Sequence, residues 1–396
     1  MLVQTHGELA ILCKRLSTAR VICIDTEFTS EGRYYPDLGT IQIAGGTEIA
    51  LIDPLAVTDI SCLLRLLVDS DVVKVFHAGE QDLEIFHRLM GRPVTPVFDT
   101  QIAAALLGYG DQASLRSLLQ VTLGEQLEKG HAFTDWLRRP LNSGQIEYAL
   151  NDVRYLGRLY ELLYKMLQEA GRLEWAEEEF KLLETAERFL PTDERHAYTL
   201  LKGAERLTQS ALGLLQELAA WRELRARRLN VPLGKIAIDP VLMELAMRPP
   251  SSARQLAQVR GLNSRQFEEY GAEIIEALRR GARNAPPAIK PADPFPASLE
   301  ATVDFLSLCM RAVAREHSIS TGILAHRSGL RLLATLGETA DIPLLRGWRR
   351  QLAGTALLGA LQGEVAASII AETKQVHLQW QRSDPTASGY PHSPDN

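Results

Sequence analysis

The chain has 396 residues, of which 46% are apolar and 23% charged, with four cysteines and a net charge of −6. At roughly 150 residues per domain this length calls for two or three domains, and the apolar share supplies more than one core, which excludes wholesale disorder. No uncharged apolar run reaches about 18 residues, so a spanning helix is not expected. The N-terminus, MLVQTHGELAILCKRLSTAR, lacks the ordered zones of a secretory signal. Cys13, Cys23, Cys62 and Cys309 form no CxxC pair and no zinc spacing, which predicts free thiols in a reducing cytosol. Charge is unevenly spread: −10 over residues 1–190, +5 over 191–290 and −1 over 291–396. An acidic half followed by an arginine-rich segment fits a catalytic part joined to one that holds a polyanion.

In chain order, VICIDTEF at 21–28 reads as a buried strand ending in acids, and TIQIAGGTEIALID at 40–53 as a hairpin turning at Gly45-Gly46. Helices dominate from about residue 57. Ile60 to Val68 is apolar at helical spacing, and VVKVFHAGEQDLEIFHRLMG predicts a strand, a turn and a helix closed by Gly91. FDTQIAAALLG, SLRSLLQVTLG and QIEYALNDVRYLGRLYELLYKMLQEAG predict further helices, giving an α/β first half. From about 205 the pattern is helical: a long amphipathic segment ending in WRELRARRLN, an extended VPLGKIAID, and three short helices to about 281. Five prolines in 284–297 predict a semi-rigid linker, residues 298–375 are predicted helical, and the Pro/Ser/Asp-rich end is predicted disordered. The two helical regions are similar in length, which fits a diverged duplication, although no strict repeat is visible.

The chemistry lies in the acids. Asp25 and Glu27 are two apart on a strand and share a face roughly 7 Å apart. Two such carboxylates repel each other, and a divalent cation removes that cost. A lone DxE is as well explained by an exposed strand end. Tyr148 and Asp152, at i and i+4 on a helix, also share a face and can supply a metal ligand and a water-orienting hydroxyl. Asp82 sits in a helix's first turn, where the helix dipole alone can account for it.

DTEF at 25–28, YYPDLGTIQIA, HAGEQDLEIF, FDTQIAAALLG, TDWLRRPL and YALNDVRYL, in that order, resemble the successive motifs of the ribonuclease D family of DEDD exonucleases. The resemblance spans about residues 10–190. ELAAWRELRARRLNVP through VRGLNSRQFEEYG resembles an HRDC domain, and LLRGWRRQL at 344–352 resembles the divergent second copy found in that family. The resemblance implies a ribonuclease H-like mixed sheet with helices over 1–190, an HRDC domain over 206–284, a linker over 285–297, a second HRDC-like domain over 298–375 and a tail over 383–396. Both HRDC-like domains would be all-α.

It further implies a 3′-5′ exoribonuclease that releases nucleoside 5′-monophosphates and trims tRNA precursors, a cytoplasmic monomer with no membrane partner. Two divalent ions, Mg²⁺ or Mn²⁺, would be held by Asp25, Glu27, Asp82 and Asp152. Asp25 would bridge them, Glu27 and Asp152 would complete the first, and Asp82 would serve the second. Tyr148, four residues before Asp152, would orient the attacking water and puts the chain in the tyrosine subclass; the position five before holds Glu147. One departure is Lys129-Gly130-His131, where the family commonly has Lys-Ser. Phe28 and His77 are candidates for the terminal nucleotide, Arg138 and Arg139 for its phosphates, and Arg222, Arg225, Arg227 and Arg228 for phosphates farther along. Solvated or packed roles compete for each. A DNA exonuclease and a silent RNA-binding scaffold are the competing functions; the complete set of four acids and a tyrosine argues against the scaffold.

Overall fold

Alternation in the apolar strands fixes how the first half is layered. The computed structural model describes residues 1–127, 130, 134–191, 193–284, 286, 288–289 and 295–381. Strands β1 (Leu2–Val3), β2 (Val21–Thr29), β3 (Asp37–Gly45), β4 (Glu48–Ile52), β5 (Val73–Phe76) and β6 (Val97–Asp99) form a mixed sheet in the order β1-β4-β3-β2-β5-β6. β2, β3 and β4 run antiparallel as the expected hairpin requires, while β5 and β6 extend β2 in parallel. Gly46, at φ 58°, makes the β3–β4 turn in a region where a side chain is disfavoured.

Side chains of period two go to opposite faces. Ile22, Ile24, Ile41 and Ile43 meet helices α1 (His6–Leu16), α2 (Ser61–Leu66) and α3 (Glu80–Met90) through Leu9, Leu12, Leu63, Leu83 and Phe86. The face of Cys23 meets α4 (Thr100–Leu106), α5 (Leu115–Leu123), α6 (Ser143–Arg154), α7 (Leu156–Glu169) and α8 (Leu173–Leu183). Asp25 and Glu27 belong to this second face. A short α9 (Ala186–Phe189) leads out of the domain.

Helix α10 (Gln209–Leu229) is started by the Thr208 side chain, which accepts from the Ala211 N–H, and ended by Asn230 in the left-handed conformation. With α11 (Leu233–Ile236), α12 (Asp239–Met247), α13 (Ala253–Leu256) and α14 (Ser264–Gly281) it encloses a separate core around Leu215, Leu218, Leu242 and Ile274. Two expectations are corrected here. The stretch read as extended contains the helical turn α11, and α14 is an 18-residue helix, launched by an Asn263–Gln266 capping box.

The C-terminal region consists of α15 (Glu300–Glu316), α16 (Arg327–Leu336), α17 (Gly347–Arg349) and, through a π-helical turn at Arg350–Gly354, α18 (Thr355–Leu361). Helix does not continue to 375. Gly363, at φ 76°, follows α18, and β7 (Val365–Ile369) pairs with β8 (Val376–Trp380) in an antiparallel hairpin. Trp380 folds onto Gly359, where a Cβ would lie 2.6 Å from its ring, so the turn of helix and the hairpin pack as one piece. Leu306, Val313 and Leu330 share a core with Leu119, Leu159 and Phe180 of the first domain. Residues 285, 287 and 290–294 of the expected linker, and the expected tail, lie outside the described residues. All four cysteines are free thiols, with the Sγ atoms of Cys13 and Cys62 3.1 Å apart. No helix among the described residues is long and apolar enough to cross a membrane.

Candidate active site

Two elements bring the central acids together. β2 carries Asp25 and Glu27, and α6, started by the Asn142–Gln145 capping box, carries Tyr148 and Asp152 one turn apart. One carboxylate oxygen each from Asp25, Glu27 and Asp152 lie within 4.8 Å of one another. The β2–β3 ladder has a bulge beside Glu27. Glu27 pairs with Thr40 and Phe28 with Leu38, leaving Gly39 unpaired. Such a bulge re-aims the neighbouring side chains. Gly39 is required there, because a Cβ would stand 2.8 Å from Cβ of the buried Trp136. The Trp136 ring in turn lies 6.1 Å from that of Tyr148. Gly130 also lies against Tyr148, a Cβ there being 3.2 Å from its Cδ2; Lys129 and His131 are outside the described residues.

The electrostatics are those of an uncompensated acid cluster. Burial, reinforced by Asp82, Asp152 and Glu27, pushes Asp25 well above the usual carboxylate range. Burial followed by Asp152 and Asp82 raises Glu27 to about 8. Burial raises Asp152 to about 7 against the opposing charge of Arg116. Burial and then the same carboxylates raise the Tyr148 phenol, which keeps its proton at neutral pH. An oxygen-only set that is costly to ionise alone fits a hard divalent cation, whose charge removes the cost.

Asp82 approaches the trio from a third element, and its charge is the strongest acting on Asp25. It is buried at the start of α3 and accepts a hydrogen bond from the Thr26 hydroxyl. Burial pushes it up to about 7, the Thr26 bond opposing. His77 is half-buried, with Nδ1 2.9 Å from the Thr100 hydroxyl. Phe28 is half-buried just beyond the bulge and Arg138 is exposed.

Arg139 has a different task from the phosphate grip expected of it. Its Nε and Nη2 each donate to Asp53 at 2.8 Å, Nη2 also to the Gly39 carbonyl, and Nη1 to the carbonyls of Trp136 and Arg138. All five N–H groups are engaged, so this guanidinium holds the bulge and the Trp136 loop. Three of the four α10 arginines likewise have partners inside the protein. Arg222 is buried on Asp239 and the Ala237 carbonyl, Arg225 is paired with Glu273, and Arg227 with Glu223. Only Arg228 of the four is exposed.

Sequence reading passed over Thr26, Asp53, Arg116 and Asp99. Thr26 lies inside the DTEF motif, so its place was visible, but its partner was not. Asp99, in the quoted FDT, accepts from the N–H groups of Ala78 and Gly79 before α3 and caps α4 through Gln101, tying the two helix starts together. Asp53 and Arg116 carry no local signal; only the tertiary fold sets them against Arg139 and Asp152.

Residues 1–168 match the profile of 3′-5′ exonucleases and residues 211–278 that of the HRDC domain. The chain is thus a 3′-5′ exonuclease with an appended helical module. It is 38% identical to ribonuclease D of Granulibacter bethesdensis, over 95% of this chain and 96% of that one, and 37% identical to ribonuclease D of Zymomonas mobilis, over 93% and 95%. The crystal structure of Escherichia coli RNase D, an exoribonuclease involved in structured RNA processing, matches with a TM-score of 0.79 at 30% identity, over 92% of this chain and 98% of that chain. The chain belongs to the ribonuclease D family and is a 3′-5′ exoribonuclease, with RNA as substrate and divalent metal as cofactor.

Proposed function

We propose that the enzyme trims the 3′ ends of tRNA precursors as a cytoplasmic monomer, with Asp25, Glu27, Asp82 and Asp152 holding two divalent ions, Mg²⁺ or Mn²⁺. The observation that carries the site is the convergence of Asp25, Glu27 and Asp152 oxygens within 4.8 Å. Divalent cations held there would supply a water of lowered pKa and positive charge against the phosphate and the leaving 3′ oxygen. Asp25, desolvated and acted on by all three other acids, would be a ligand of both ions. Asp82, carried by α3 and oriented by Thr26, would serve the second ion. The Tyr148 phenol, kept protonated by burial and by three carboxylates, is not a base; its hydroxyl orients the attacking water. Trp136 and Gly130 on the ring hold that hydroxyl in place. Arg139 braces the bulge, which leaves Arg138, Phe28 and His77 as the candidates for contacting the terminal nucleotide.

The test is incubation with a tRNA precursor bearing extra 3′ nucleotides, and with a matched DNA strand, in Mg²⁺ or Mn²⁺. Stepwise shortening of the RNA to nucleoside 5′-monophosphates is expected; preference for the DNA strand would reject the tRNA reading. Asp25→Asn should abolish turnover with the fold intact. Tyr148→Phe should lower turnover by about 10²–10⁴-fold with little change in RNA affinity. Unchanged turnover in either variant removes that residue from the mechanism.

A further inference from the structure

The catalytic strand and the α10–α14 module meet at the last turn of α10, and the contact is polar and directional. Asn230, left-handed at φ 50°, accepts the Tyr35 backbone N–H at 2.7 Å on its Oδ1 and donates from Nδ2 to Asp37 Oδ1 at 3.1 Å. The Tyr34 hydroxyl donates to Glu223, and Arg227 Nε donates to that hydroxyl at 3.2 Å. Glu223 is only 7% exposed. On the other side of the same loop, Arg88 of α3, the helix of Asp82, donates to the Pro36 carbonyl at 2.9 Å. The loop grasped in this way joins β2 to β3.

What the loop controls follows from the register. Asp37 opens β3 opposite Thr29; Leu38 faces Phe28, Gly39 is the bulge, and Thr40 faces Glu27. The bulge is therefore held from both ends. Trp136 and the Arg139 bond to the Gly39 carbonyl fix it from the catalytic domain, and Asn230 fixes the strand two residues before it from the helical module. Beyond the bulge only two pairs remain, Phe28–Leu38 and Thr29–Asp37, so an anchor at this open end decides how the strand end is aimed.

We infer that Asn230, supported by the Tyr34–Glu223 contact, is a positioning residue for Glu27, so that the helical module completes the geometry of the active site. The inference rests on Glu27 being part of the site, and Glu27→Gln tests that separately. If Glu27→Gln keeps wild-type turnover, the site reading has failed, whatever Asn230 does.

The experiment uses the full chain and a short RNA oligomer, with kcat and KM measured alongside Mn²⁺ affinity by calorimetry and folding by circular dichroism. Asn230→Gly keeps the left-handed conformation and removes only the carboxamide. Asn230→Asp sets a carboxylate against Asp37. Asp37→Asn in the Asn230→Asp background restores an amide–carboxylate pair with its polarity reversed. Displacing a catalytic group by about 1 Å costs on the order of 10²-fold. Asn230→Gly should therefore lower kcat severalfold, Asn230→Asp by about tenfold or more, and the double variant should recover most of the loss, with KM nearly constant and Mn²⁺ affinity following kcat. A merely structural contact would lower the folded fraction without this rank order or rescue. Wild-type kcat and Mn²⁺ affinity in folded Asn230→Gly and Asn230→Asp, or a double variant no better than Asn230→Asp, overturns the inference.

Discussion

The two helical regions that follow the catalytic domain join it in opposite ways. The α10–α14 module keeps its own core and touches the catalytic domain through Asn230, Tyr34 and Glu223. The α15–α18 region has no separate core. Its Leu306, Val313 and Leu330 continue the core of α4, α5, α7 and α8, Trp348 stacks on Trp175 at 4.9 Å, and the buried Glu179 binds both Trp348 Nε1 and Arg349. Backbone bonds extend the seam, with the Ser320 N–H on the Ala105 carbonyl and the Gly322 N–H on Asp111. Apolar fusion gives bulk stability without direction; a few polar bonds give direction with little bulk. One helical region is scaffold for the catalytic domain, and the other is a largely polar contact at its active edge.

The largest effect expected from this difference is on truncation. Charge alone makes a chain ending near Leu190 look like a viable minimal nuclease. The shared core says otherwise, because that cut exposes the apolar face of α4, α7 and α8. Such a chain should be insoluble or unfolded, as judged by circular dichroism after expression; a folded, active product would refute the fused core. Next comes Trp348→Ala, which should cost about 3–5 kcal/mol and lower the unfolding transition of the catalytic domain in calorimetry. Trp221→Ala, in the separate core, should lower only the transition of the α10–α14 module. A single transition moved equally by both would abolish the distinction.

The parts of this arrangement legible in the sequence are those set by local pattern. The two-residue period of a strand put Asp25 and Glu27 on one face, and helical spacing placed Tyr148 and Asp152 together. Glycine closed the helices and the hairpin where expected, at Gly91 and Gly46. Partnership was not legible. The arginines of α10 form a charge cluster in the sequence, yet Arg222, Arg225 and Arg227 are matched to Asp239, Glu273 and Glu223, two of them from other helices. Arg139 reads as a free cation until Asp53, 86 residues away, is found beside it. The fused core was invisible because amphipathic helices record that they bury a face, not against what. The hairpin at 365–380 was hidden by short strands whose pattern runs on from a helix.

A smaller effect separates the two parts by pH. Asp25, Glu27, Asp82 and Asp152 are all raised in the folded state, chiefly by burial. The metal-free fold therefore binds protons that the unfolded chain, with carboxylates near about 4, has released. This contribution is complete at low pH and is lost as pH rises through about 7 for Asp82 and Asp152 and about 8 for Glu27. Without metal, Asp25→Asn should match the wild type in Tm at or below about pH 4 and exceed it at pH 8, and Mn²⁺ should stabilise the wild type more than the variant. The change should fall on the catalytic-domain transition alone. A wild type that stays as stable as Asp25→Asn at pH 8 without metal would mean the cluster carries no net repulsion.

The smallest effect concerns whether the α10–α14 module also holds RNA. Each phosphate contact contributes roughly 0.7–0.9 to the log–log salt slope of binding. Arg225 is bound through Nε and Nη2 to Glu273, which also accepts from Trp221 Nε1, so its charge is already neutralised within the module. Arg228 is exposed at the rim of a cavity of about 510 Å³ shared with Arg195 and Arg280, both of which pair with Glu217. Of the four α10 arginines, Arg228 has the charge with least to lose on meeting a phosphate. Arg228→Ala should therefore reduce the slope for a long RNA by about one contact, roughly 0.7–0.9, while Arg225→Ala changes it by much less. Equal slopes for wild type and Arg228→Ala, measured over several salt concentrations, would leave the module with its polar grip on the β2–β3 loop and no part in holding the substrate.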